Sequence, residues 1–173
     1  MNKRQLLTAI PAVAASTGLA TQVSGANTED GGMVELDDVR FEWHHEHGFL
    51  RGKMTAPTSG WIAAGFNQNP DLKNTRFVIG ATSIVPIRVE EHLAIVPHHR
   101  DVGSLGYTRT VTEVRGYERQ GVSIVAFSLP HTFPDGPELD LTPGGEVTLM
   151  LAWSHTPDFR HHSTWRRHTQ IIL

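Results

Sequence analysis

The chain has 173 residues, no cysteine and a formal charge of −3 at pH 7. Disulfides, thiolate metal sites and cysteine nucleophiles are thereby excluded. The mild acidity argues against a nucleic-acid partner, because only Arg160, Arg166, Arg167 and their histidine neighbours approach a basic cluster.

The first 26 residues pass from Lys3 and Arg4 through an apolar stretch at 6–20 to small residues that include Ser24 and Ala26. That order predicts a secretory signal peptide. Pro11 and Gly18 interrupt the apolar part, which is shorter than the roughly 20 residues of a membrane span. Cleavage after Ala26, or earlier near Gly18 and Ala20, is therefore expected in place of a stable membrane anchor, and the location is periplasmic or secreted. Cleavage at Ala26 removes Lys3, Arg4 and no acid, so the charge of the remainder moves from −3 to −5.

Residues 27–38, with Asn27, Thr28, Glu29, Asp30, Gly31 and Gly32, read as a polar leader and are expected to be disordered. Residues 39–173 are enough for one domain and contain no internal repeat. Strand-like runs rich in Val, Ile, Thr and aromatics recur at 40–43, 49–55, 61–66, 76–82, 84–90, 108–115, 122–129, 146–153 and 169–173. No long window carries a helical apolar stripe. His47-Gly48 and Gln120-Gly121 suit hairpin turns, and the Pro- and Gly-rich piece at 131–145 suits a loop crossing one end of the sheets. Arg109, Glu113 and Arg115 are suited to protecting an edge strand. The fold predicted is all-β, a two-sheet antiparallel β-sandwich.

Histidine is the residue in excess, with 11 copies, all from His44 onward. A neutral imidazole nitrogen can bind haem iron, copper or zinc, and such sites need two or more of them to converge. Four groups qualify: His44-His45 with His47, His92, His98-His99, and His161-His162 with His168. The first sits beside a turn and reads as solvated. Trp153 and Trp165 are candidates for lining a pocket or stacking on a sugar ring, although core packing is the commoner use of tryptophan in a sandwich. Enzyme signatures are missing: there is no Gly-x-Ser-x-Gly elbow, no His-Glu-x-x-His pair and no phosphate or dinucleotide loop. Glu90-Glu91 and Asp37-Asp38 are adjacent and so do not face each other across a site. Catalysis by this chain alone is not expected.

Two blocks carry a family resemblance. The first is Gly60-Trp61-Ile62-Ala63-Ala64-Gly65-Phe66, followed by Leu72-Lys73-Asn74-Thr75-Arg76-Phe77-Val78-Ile79-Gly80. The second is Leu149-Met150-Leu151-Ala152-Trp153 with Asp158-Phe159-Arg160-His161-His162-Ser163. Together they resemble the DOMON domains, in particular the small bacterial single-domain members, over residues 39–173.

The resemblance implies a sandwich of about ten strands whose pocket holds b-type haem for electron transfer in some members, and a sugar or another ligand in others. It places the family's C-terminal histidine ligand on His162, with His161 one place away, and the family's methionine ligand on Leu72. Leucine has no lone pair and cannot ligate iron, and Arg76 stands where the family often has aspartate. Small bacterial members often carry histidines in the segments of His92 and His98, so His162 with His98 or His92 is the expected iron or metal set. Met54 or Met150 is a further candidate for the missing thioether. Arg160, Arg166 and Arg167 suit haem propionates or another acidic ligand. The expected partners are haem or a small-molecule or sugar ligand, and a redox or envelope protein. The alternatives are a haem-free carbohydrate- or partner-recognition module, favoured by Leu72, and a histidine-based copper or zinc protein.

Overall fold

The computed structural model of the chain describes residues 31–173. The expected signal peptide and the first part of the leader, 27–30, lie outside the described residues. The strands are β1 (Gly31–Leu36), β2 (Val39–Glu46), β3 (Phe49–Ala56), β4 (Trp61–Asn67), β5 (Arg76–Ala81), β6 (Arg88–Ala94), β7 (His99–Asp101), β8 (Thr112–Arg119), β9 (Val122–Pro130), β10 (Glu146–Trp153) and β11 (Trp165–Ile172), with one 3-10 turn at Val102–Leu105. They form two antiparallel sheets, ordered β1-β2-β3-β9-β8 and β11-β10-β4-β5-β6-β7. The chain is thus the all-β sandwich its sequence predicts. Among the described residues no helix is long and apolar enough to cross a membrane.

The principal core lies between the sheets and follows from strand alternation. In β2, Val39, Phe41 and Trp43 are buried while Arg40 and His44 are exposed. Phe41 stacks on Phe127 at 6.4 Å and meets Phe66 edge-on at 5.6 Å, a geometry aromatic pairs favour. Leu50, Leu129, Leu149 and Leu151 fill the same layer. The hairpin turns form where expected, with positive φ at His47 (50°), Gly48 (84°), Gln120 (55°) and Gly121 (79°).

Several boundaries differ from the sequence prediction, each for a physical reason. The leader at 27–38 does not stay outside the fold, because Gly31–Leu36 pairs with β2 and turns Val34 and Leu36 into the core. Gly32 is needed there: a Cβ at that position would overlap the Trp43 indole. The run at 84–90 slides to Arg88–Ala94, because Pro86 has no N–H for a ladder. The run at 108–115 slides to Thr112–Arg119. The last strand begins at Trp165, earlier than the 169–173 run, and His99–Asp101 forms a short edge strand where a loop is predicted.

Thr108 to Val111 are withheld from the sheet by a buried ion pair. Arg76 and Glu91 face inward from neighbouring strands β5 and β6, and both are among the most deeply buried side chains of the protein. The guanidinium donates to Glu91, to the Thr108 and Asp135 carbonyls at 3.2 and 3.3 Å, and lies over the Phe133 ring at 4.1 Å. The carboxylate accepts from the backbone N–H groups of Thr110 at 2.6 Å and Val111 at 3.0 Å. This network ties two loops to the sheet, and it explains why an arginine stands at position 76. Removing one partner leaves an uncompensated buried charge, which costs about 3–5 kcal/mol. Glu91→Leu is expected to lose about that much stability in urea unfolding, and adding Arg76→Met is expected to recover part of the loss. Strictly additive losses would show that the two groups are not coupled.

Candidate functional site

The six-stranded sheet has apolar side chains on both faces, and that is what creates the site. Every residue of β4 is buried: Ile62, Ala64 and Phe66 join the inter-sheet core, while Trp61 and Ala63 belong to a second cluster on the opposite face. Phe77, Ile79, Ala81, Ala94, Met150, Ala152 and Phe159 complete that second cluster. The outer face of an antiparallel sandwich sheet is normally polar. Here it must be covered, and the segments 69–75, 95–98 and 155–164 border it.

Register arranges this face in two rows across the strands. The first runs Arg166, Ala152, Ala63, Ile79, Glu90; the second runs His168, Met150, Gly65, Phe77, His92, Asp101. Apolar residues lie in the middle, small at Ala152, Ala63 and Gly65, and polar ones lie at both ends. Gly65 lets the Phe77 ring lie across β4, because a Cβ there would overlap the ring. The outcome is a cavity of about 330 Å³ with an apolar floor, within the range of small-molecule sites.

All five residues singled out for binding line this cavity: Leu72, His92, His98, His162 and Arg166. His99 and His161 join them. Leu72 comes from the segment after β4, whose path is held by Asn67 donating to the Asp71 and Lys73 carbonyls at 2.7 and 2.9 Å. His161 and His162 come from the segment after Phe159, which is buried and carries the Arg88 guanidinium over its ring at 4.4 Å. Of the two methionines, Met150 lies in the cavity floor, whereas Met54 is in the inter-sheet core. Trp153 and Trp165 pair across β10 and β11 and pack against the inter-sheet core, and Trp165 donates to Asp37 at 2.9 Å. Trp61 does line the cavity, and its buried indole N–H has no acceptor among the described residues. Buried donors without partners are rare and point to an occupant or a water.

The histidines are not equivalent. His92 is buried, and both its ring nitrogens are engaged: Nε2 with Glu90 at 2.8 Å and Nδ1 with Nδ1 of His99 at 2.9 Å. His98, His161 and His162 are exposed at the rim and make no side-chain hydrogen bond among the described residues. Burial, with the imidazoles of His92, His98 and His162 beside it, pushes His99 down to about 4. It is therefore neutral at pH 7, the form that ligates metals. Burial pushes the Glu90 carboxyl up, but hydrogen bonds from Arg88 and His92 outweigh it and hold the group below the ordinary glutamate value. The first histidine group lies on the other sheet, where His45 is half-buried and pairs with His131 at 3.1 Å, while His47 stays exposed at the turn.

Glu90, His92 and Asp101 place three potential metal-ligating atoms within 4.8 Å of one another. Each carboxylate there already carries an arginine: Arg88 on Glu90 at 2.7 Å, and Arg109 on Asp101 at 2.5 and 3.1 Å. These arginines already supply positive charge to both carboxylates, which weakens the attraction of the cluster for a divalent cation.

Sequence reasoning passed over Arg88, named Phe159 only within the family block, gave Glu90 no role, weighed His99 only as a member of a histidine pair, and did not foresee the alanines that line the cavity. Alternation carries part of the missing signal: in a strand at 88–94, residues 90, 92 and 94 share one face and Glu91 takes the other.

Solved structures that match the chain include two of the same fold. One is the cytochrome domain of Myriococcum thermophilum cellobiose dehydrogenase, with a TM-score of 0.61, 10% sequence identity, and coverage of 88% of this chain and 89% of that one. The other is the cytochrome b domain of pyranose dehydrogenase from Coprinopsis cinerea, with a TM-score of 0.53, 11% identity, and coverage of 78% and 76%. The sequence matches no family model and no curated protein. The protein therefore shares the sandwich of these cytochrome domains, at a distance where only the fold is comparable.

If the cavity is an open binding site, Ala152→Phe fills its floor without touching the inter-sheet core. The variant is expected to lose most of the fluorescence enhancement that an apolar anilinonaphthalene dye gives with the parent, with the unfolding midpoint little changed. An unaltered dye signal would show that the dye reads another surface.

Proposed function

We propose that this chain is an extracytoplasmic DOMON-type binding domain that holds a b-type haem in the outer cavity of its six-stranded sheet and serves electron transfer. The observation that carries the proposal is the cavity itself. Its apolar lining includes Ala63, Ala94 and Ala152, and imidazole and guanidinium groups line it as well, on a fold shared with two domains named as cytochromes.

The residues present fit the group. Alanines opposite one another across adjacent strands leave a slot for a planar apolar ring, and Phe77, Ile79 and Phe159 keep that slot apolar. His162, unbonded within the described residues, is free to ligate iron from the C-terminal segment. Arg166 and Arg160 line the cavity and suit propionate carboxylates. Leu72 contributes packing only, so the second ligand must come from another residue. Bound haem supplies one-electron chemistry. The protein sets its potential through the ligands and through the exclusion of water by the apolar lining.

In this proposal the chain is a carrier, not an enzyme, and its partner is a redox protein of the cell envelope. Leucine at position 72 is the one observation that favours a haem-free recognition module. Trp153 and Trp165, the tryptophans suited by sequence to stacking on a sugar ring, pack against the inter-sheet core instead.

Titration of the purified, untagged chain with haemin is expected to give a saturable Soret band that shifts on reduction with dithionite. His162→Ala is expected to weaken haemin retention by about 10-fold or more. A chain whose spectrum is that of free haemin at all ratios would overturn the proposal, and tryptophan quenching by a glycan in the same protein would point to the recognition module.

A further inference from the structure

We propose that His99 is the second histidine that would hold the haem iron, together with His162, and that Arg88, Glu90 and His92 form a relay that orients it. This rests on the haem reading above and deepens it by naming a ligand that neither the sequence blocks nor the fold assigns.

The proton positions along the relay follow from one fixed point. A carboxylate can only accept. Glu90 accepts from Arg88 Nε at 2.7 Å through one oxygen and from His92 Nε2 at 2.8 Å through the other. In the singly protonated form of His92 with its proton on Nε2, the lone pair is on Nδ1. The partner of that lone pair is His99 Nδ1 at 2.9 Å, which in that form carries the proton. The lone pair of His99 then sits on Nε2, and Nε2 makes no hydrogen bond among the described residues. Each other ring nitrogen of the pair is spent inside the relay, which leaves one nitrogen suited to iron.

The same accounting removes the competitors. His92 cannot ligate without breaking one of its two hydrogen bonds. His98 lies in the 95–98 segment, before β7 begins, and takes no part in the relay. His99, by contrast, begins β7 opposite Ala94 and diagonal to His92, on the edge of the ladder. Rings hold the relay in place: Phe159 lies under Arg88 and meets His92 edge-on at 6.1 Å, and Phe77 lies 6.4 Å from His99. A histidine whose far nitrogen donates to a second group, itself anchored by a carboxylate, is the arrangement that fixes tautomer and raises basicity at metal centres. His92 and Glu90 are thus positioning residues, and His99 is the ligand.

The experiment uses the full chain with haemin and reads ligation, not activity. Electron paramagnetic resonance and near-infrared magnetic circular dichroism of the ferric complex are expected to show low-spin iron with two imidazole ligands. His99→Ala is expected to keep haemin through His162 but become high-spin, with added imidazole restoring the low-spin signal. His99→Met is expected to give the methionine–histidine charge-transfer band. His98→Ala is expected to stay low-spin. His92→Gln is expected to weaken haemin retention by about 10- to 100-fold and to shift the reduction potential, which a merely structural role would not do. In the haem-free chain, imidazole nitrogen NMR is expected to find His92 protonated at Nε2 and His99 at Nδ1.

Low-spin iron that survives His99→Ala but is lost in His98→Ala or Met150→Leu would overturn the assignment while leaving haem binding intact. A proton on His99 Nε2 in the haem-free chain would overturn the relay. Failure of the parent chain to bind haemin at all is a different result: it removes the haem reading and this ligand with it.

Discussion

Strands β4, β5 and β10 must bury apolar side chains on both of their faces, and the remainder of the architecture answers that requirement. One face is satisfied by the second sheet, through Phe41, Phe66, Phe127 and the leucines around them. The other face has no third sheet to meet. Its residues, Trp61, Ala63, Phe77, Ile79, Met150 and Ala152, are sheltered by loops that bring Phe159 over them and leave a hollow above the alanines. A floor built on hydrogen-bonded ladders is rigid, and a rigid floor of small side chains holds its shape when empty. Loops alone would give a less exact site.

Charge is distributed with the same face logic. Glu90 and Glu91 are neighbours in sequence, yet pleating sends them to opposite sides of β6. Glu91 is fully enclosed, meets Arg76 and caps the backbone of Thr110 and Val111, so it serves the closure of the sandwich. Glu90 lies on the outer face and binds His92, whose other ring nitrogen meets His99. One residue step thus separates a group that holds the fold from a group that shapes the site. A register slip of one residue in β6 would exchange them and disable both.

Much of the fold was legible because strand runs, hairpin turns and the missing helical stripe are local signals. The turns at His47-Gly48 and Gln120-Gly121 stand where glycine and its neighbour announce them. What escaped was set by partners distant in sequence. Gly31 and Gly32 look like a linker, and only the Trp43 ring packed on Gly32 makes them part of a strand. Thr108 and its followers have β-prone side chains, but their backbone is claimed by Glu91, Asp135 and Arg76. For the site, the family resemblance and the histidine excess were enough to name residues that prove to share one cavity. They could not separate His92 from His99, because that distinction depends on which ring nitrogens are already spent. Leu72 was visible as a departure, whereas the imidazole pair near it in the cavity depends on the pairing of β6 with β7, which no local pattern encodes.

The central claim is that the alanine-floored hollow on the outer face of the six-stranded sheet receives the ligand. The most direct measurement is methyl NMR of the alanine-labelled chain as ferric haemin is added. The account predicts paramagnetic broadening of Ala63, Ala94 and Ala152, with Ala126 on the other sheet unaffected. Broadening centred on Ala126, or spread evenly over all alanine methyls, would contradict it.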